Sequence, residues 1–132
     1  MTSPASQQAT RGAALAQLIR RPPVSTRVGD LRNLAIVALE LAGLTAVETS
    51  ALRVQDLQLL GSGRVRVTVA HGRRQSAVDL DEWQSRAVLR YVEAGRLYRG
   101  EGKLWLTQRG AMTARAVLWV LRRLAEKSGG PA

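Results

Sequence analysis

A chain of 132 residues with 45% apolar side chains has enough material for one domain with a sizeable core, and too little for two. It has no cysteine and a single histidine, which excludes disulfides, thiol chemistry and thiolate metal sites and leaves no ordinary ligand set for zinc, so no metal or other cofactor is expected. The net charge is +10, with 18 of the 20 basic residues Arg, which makes a polyanion the expected partner and nucleic acid its first candidate.

No run of about 18 apolar residues occurs, so no membrane partner is expected. No signal-type segment follows the N-terminus, so a cytoplasmic location is expected, nucleoid-associated if the chain binds DNA. Residues 1–10 are mostly Ser, Gln, Ala and Thr and read as a mobile tail. Residues 13–21 suit a short helix with Leu15, Leu18 and Ile19 on one side, ended by Pro22 and Pro23. This arm, residues 1–26, has three open uses: packing on the body, gripping DNA through Arg20 and Arg21, or docking on another subunit. The domain proper is expected over 27–128, with a short tail at 129–132.

From Asp30 onward, Leu31, Leu34, Ala35, Ala38, Leu39 and Leu41 recur at steps of three and four. Ile36, Val37 and Ala42 fill the other sides, which predicts a helix buried on more than one face. Gly43 suits the left-handed residue that stops it. Thr45-Ala-Val-Glu48 is a capping box opening a short helix that ends in Ala51-Leu52-Arg53. Residues 54–63 read as an irregular approach to a turn. Residues 64–69 alternate Arg or Thr with Val, the pattern of a strand with one buried face, and 76–80 return as a shorter strand. Between them, Gly72-Arg73-Arg74-Gln75 reads as the turn, with two guanidinium groups at its tip.

Asp81 and Gln84 form a second capping box, opening a helix whose apolar face is Trp83, Ala87, Val88, Tyr91 and Val92 and which closes at Gly95. Residues 96–103 read as a loop, 104–106 as a short apolar strand, and 108–110 as a turn. Thr113 caps a last helix with Ala116, Val117, Val120, Leu121 and Leu124 inward and Arg115, Arg122 and Arg123 outward. Residues 128–131, Ser-Gly-Gly-Pro, end it. The predicted class is mainly α with a small antiparallel β-hairpin or sheet, an α+β domain.

Two segments carry a resemblance. Gly43-Leu44-Thr45-Ala46-Val47-Glu48, followed by Ala51-Leu52-Arg53-Val54-Gln55-Asp56-Leu57, resembles the first box of the tyrosine recombinase (phage integrase) catalytic domain. Leu104-Trp105-Leu106-Thr107 resembles the segment ahead of that family's second box. The resemblance covers about residues 27–128 and implies the N-terminal part of an integrase-like catalytic core. It also implies where chemistry belongs: two arginines and a histidine or tryptophan around a phosphodiester, a lysine on the hairpin, and a tyrosine nucleophile. Thr45 stands at the first arginine position, and the hairpin lysine position falls near His71. The second box and the nucleophile are expected beyond the last helix, and neither Tyr91 nor Tyr98 has the nucleophile's context. No catalytic residue is therefore assigned, and the chain is expected not to be an enzyme.

The expected function is non-catalytic DNA binding, as an accessory or regulator of DNA recombination or of a mobile element. Arg73 and Arg74 at the hairpin tip lead the contact set. Arg64 and Arg66 on one strand face, Arg53 after the short helix, and His71 beside the turn join them. No base-reading helix stands out, so phosphate contacts should dominate and binding should depend strongly on salt. The alternative is a protein-interaction module, a homodimer or the partner of an active recombinase. Leu118, Trp119 and Leu121 on the last helix would then form the interface, unless the N-terminal arm folds back to cover them.

Overall fold

The computed structural model describes residues 4–95, 102–107 and 110–128. The elements run α1 (Pro4–Arg20), α2 (Val28–Leu41), α3 (Ala46–Ala51), a single 3-10 turn at Val54–Asp56, then β1 (Leu57–Leu59), β2 (Val65–His71) and β3 (Arg74–Asp79). They continue with α4 (Glu82–Ala94), β4 (Leu106–Thr107), β5 (Gly110–Ala111) and α5 (Ala114–Ser128). The result is mostly helical with a small antiparallel sheet, the predicted class.

α2 is the axis of the body, packed against α4, α1, α5 and α3. Residues 35–39, Ala-Ile-Val-Ala-Leu, have 0% of their surface exposed, so neighbours enclose this helix on every side. Burial of Ile36, Val37 and Leu39 contributes about 1.5–3 kcal/mol each. The helix ends by paired backbone bonds. Gly43, at φ +99°, lets its own N–H reach the carbonyl of Glu40 (3.0 Å) while the N–H of Leu44 reaches that of Leu39 (3.1 Å). Leu44 and Leu39 are both buried, the apolar contact that accompanies this ending.

Both predicted capping boxes form. Thr45 Oγ1 accepts from the N–H of Glu48 at 3.1 Å, and the N–H of Thr45 donates to Glu48 Oε1 at 2.8 Å. Asp81 Oδ1 accepts from the N–H of Gln84 at 2.8 Å, and Gln84 Oε1 returns a 3.0 Å bond. Each fixes where a helix starts, α3 and α4 respectively.

The sheet has three antiparallel strands in the order β1-β2-β3, one more than the predicted hairpin. β1 pairs Leu57 with Val67 and Leu59 with Val65. The register turns Val65, Val67 and Val69 to the core and Arg66, Thr68 and Ala70 outward. Ser85 of α4 pins the sheet to the body: its buried hydroxyl accepts from the N–H of Val65 at 2.9 Å. The hairpin turn is tighter than expected. Only Gly72 and Arg73 lie between the strands, and Arg74 already pairs with His71.

Trp105, 1% exposed, ties the C-terminal third to α3. Its indole Nε1 donates to the carbonyl of Thr49 at 2.6 Å, and its ring stacks on Tyr91 with centroids 5.4 Å apart. The Tyr91 hydroxyl donates to the carbonyl of Leu104 at 2.7 Å and accepts from the N–H of Leu106 at 3.4 Å. Burial pushes the Tyr91 phenol above its ordinary pKa.

Three expectations need correction, and one question left open is answered. The N-terminal segment is helical from Pro4, because α1 continues through the stretch read as a tail. Its Leu15 and Ile19 are buried and α1 packs on α5, α2 and α4, so the arm lies on the body. Trp83, expected inward, is 43% exposed, since it sits in the first turn of α4, at the margin of the packed stripe. Residues 104 and 105 are buried without strand pairing, the ladder of β4 beginning at Leu106. Residues 96–101 of the loop expected at 96–103, with Tyr98, and Gln108 and Arg109 of the turn expected at 108–110 lie outside the described residues.

Candidate nucleic-acid interface

The β2–β3 hairpin sets the geometry. Alternation puts Arg74, whose backbone pairs with His71, on the sheet face of Val69 and Ser76, beyond the last core valine, and Arg73 on the turn itself. Arg73 and Arg74 are both exposed, and neither has a carboxylate partner among the described residues. Gly72 takes φ +62°, the left-handed conformation that lets so short a connection close.

At the root of the hairpin the charge is compensated. Arg66 makes a two-pronged bond with Asp79 directly across the strands, Nε to Oδ1 at 2.6 Å and Nη2 to Oδ2 at 3.1 Å. The hydrogen bond from Arg66 holds the Asp79 carboxyl below its ordinary pKa, against some desolvation, and the charges of Arg66 and Arg64 lower it further. The same bond raises Arg66. Arg64 donates through Nε to the carbonyl of Leu80 at 2.9 Å. Between this pair and the tip, the outward face holds Thr68, Ala70, Ala77 and Gln75, none charged. The strand arginines are therefore not continuous with the tip, because Asp79 neutralises Arg66 and neutral residues separate the two.

Arg53 is exposed at the end of α3, its backbone N–H capped by Asp56 Oδ2 at 2.8 Å. It forms an antiparallel bridge with Lys103, which brings two exposed cations side by side. Sequence reading missed Lys103, since residues 50 apart are joined only by the backbone bonds of Leu52 and Val54 to Leu104 and Gly102.

Among the described residues, several acids are engaged by backbone or hydroxyl donors. Glu48, Asp56 and Asp81 accept backbone amides at the starts of elements, and Asp30 accepts from Ser25 Oγ at 2.6 Å. Among the described residues, Arg66 and Arg86 are the arginines with carboxylate partners, Asp79 and Glu82. Also among them, no group of three His, Asp or Glu could hold a metal ion, and no helix is long and apolar enough to cross a membrane.

On α5 the expected interface residues separate. Leu118 and Trp119 are 41% and 58% exposed, and the Arg123 guanidinium lies 5.0 Å from the Trp119 ring centre. Leu121 is 1% exposed and is core, not interface: it shares the inward stripe of Val117 and Val120, which α1 helps to cover.

Among solved structures, the crystal structure of XerA recombinase superposes with a TM-score of 0.68 at 22% identity, over 89% of this chain and 41% of that one. The fold is integrase-like. This chain spans less than half of the recombinase, so the likeness concerns architecture. No family model matches the chain, and no curated protein does. Within the shared fold, Thr45 is exposed and its hydroxyl serves as the N-cap of α3.

Proposed function

We propose that this protein is a non-catalytic, integrase-like DNA-binding protein, an accessory or regulator of DNA recombination or of a mobile element. One observation carries the reading: two exposed arginines at the tip of a hairpin, with no carboxylate partner among the described residues, on a chain of net charge +10. A two-stranded ribbon is narrow enough for the major groove, about 12 Å wide. There the planar guanidinium groups of Arg73 and Arg74 offer forked donors to phosphate oxygens. Each contact releases condensed counterions, which makes the affinity electrostatic, tolerant of sequence and steeply salt-dependent. Arg53 and Lys103 supply a second cationic point for the backbone.

Two features argue against strand cleavage. Thr45 offers neither charge nor forked donors to a pentavalent phosphate, and its hydroxyl is already held as a cap. Tyr91 is 2% exposed with its hydroxyl bonded to Leu104 and Leu106, so it cannot reach a phosphodiester. The test pairs two measurements on the full chain. Fluorescence anisotropy of a labelled duplex at rising salt should show binding that weakens with salt. A nicked suicide duplex should yield no covalent adduct; trapping one would overturn the non-catalytic assignment.

A further inference from the structure

We infer that the outer face of α5 is a docking site for an acidic amphipathic helix of a partner protein. Leu118 and Trp119 stand exposed on a helix whose inner stripe is already covered by α1. Leu118 also walls a groove of about 680 Å³ of mixed lining, with Leu41 at the end of α2 and Ala46 of α3 among its apolar residues and Glu40 and Thr45 among its polar ones. An exposed aromatic side chain next to a partly apolar groove is a usual anchor of a protein-binding surface.

The rim selects the occupant's charge. Arg115, Arg122 and Arg123 lie three or four positions from Leu118 or Trp119, so they ring the apolar pair on the helix surface. None has a carboxylate partner among the described residues. Glu40 of α2 is the charged residue that lines the groove and Glu126 lies one turn further along α5, while Arg115, Arg122 and Arg123 leave the α5 side positive. A partner that seats leucine-type side chains in the groove and places carboxylates over α5 satisfies both features. The groove walls are helices and their connections, with no strand edge to extend, so an occupant must satisfy its own backbone, as a helix does. A second copy fits poorly: a two-fold interface would set the same three arginines against each other between bodies of net charge +10. Duplex DNA fits poorly too, because its phosphate backbone offers nothing apolar to cover Leu118 and Trp119.

The experiment uses the full chain and a fluorescein-labelled synthetic helix of about five turns, with leucines on one face and glutamates elsewhere. Anisotropy should show saturable binding of this probe, and weaker binding of the same peptide with lysine in place of glutamate. Trp119→Ala should weaken the acidic probe at least about tenfold. An Arg122→Glu, Arg123→Glu protein should reverse the preference toward the lysine peptide. Arg73→Ala with Arg74→Ala should leave probe binding unchanged, which separates this site from the hairpin. Leu118 and Trp119 are surface residues, and the circular dichroism melt of each variant should match the parent. Absence of acidic-probe binding, equal binding of both peptides, displacement of the probe by duplex DNA, or a Trp119-dependent dimer by light scattering would each overturn the inference.

Discussion

Removing the hairpin tip's charge is the most direct test of the DNA-binding reading. In an Arg73→Ala, Arg74→Ala protein the fold should persist, because both side chains are exposed and the strand pairing uses backbone groups. If each arginine neutralises one phosphate, the variant makes two fewer contacts. The slope of log K against log salt then falls by about 1.8, at 0.9 per phosphate. Between 50 and 200 mM salt, a factor of four, that slope difference makes the parent lose about twelvefold more affinity than the variant. Anisotropy titrations of one labelled duplex at four or more salt concentrations measure both slopes. A variant whose slope equals the parent's would refute the hairpin's part, however much overall affinity changed. Circular dichroism in the same buffers excludes unfolding as the cause.

Asp79→Asn tests the root of the hairpin in the opposite sense. It frees Arg66, so the salt slope should steepen by up to about 0.9 and affinity should rise; an unchanged slope would place Arg66 outside the interface. The same pair predicts a pH dependence. Because the folded-state carboxyl lies below its ordinary value, its stabilising contribution is present above the ordinary carboxylate pKa and is lost as pH falls through the lowered one. The difference in melting temperature between parent and Asp79→Asn should persist through the ordinary carboxylate range and close only in stronger acid. Tyr91→Phe leaves the Leu104 carbonyl and the Leu106 N–H without their partner, at a cost of about 2 kcal/mol. For 132 residues that lowers the melting temperature by about 7 °C, and a change within calorimetric error would contradict the bonded geometry. Thr45→Ala should cost about 1 kcal/mol through the lost cap while leaving the DNA salt slope unchanged, both readable by melting and anisotropy.

The parts of the fold legible in the sequence are those set by neighbours in the chain. The capping boxes at Thr45 and Asp81, the stop at Gly43 and the inward stripe of α5 each depend on residues within four positions, and all formed as expected. What escaped depends on distant partners. β1 is three residues long, Leu-Gln-Leu, too brief for alternation to announce, and it exists because β2 offers it an edge. Ser85 looks like any polar helix residue until the first N–H of β2 needs an acceptor. A four-residue turn at Gly72–Gln75 would have set Arg66 opposite Asp81. The observed two-residue turn sets it opposite Asp79, and so its charge is compensated. Leu121 and Trp119 are two residues apart on one helix, and the packing of α1, α3 and α2 on α5 decides which is covered. The exposure of Arg73 and Arg74 beside a turn was legible because a turn is local; the Arg53–Lys103 bridge was not.

The way β3 is held has a mechanical consequence. Of its six residues only Val78 is half-buried, whereas β2 seats three valines in the core. The outer half of the ribbon is therefore a cantilever, stiffened by interstrand backbone bonds and anchored at its base. Its end can swing as a unit without disturbing the helices. Two positive charges borne on such an arm can adjust to phosphates whose spacing varies with groove width, and once seated they would damp the arm's motion.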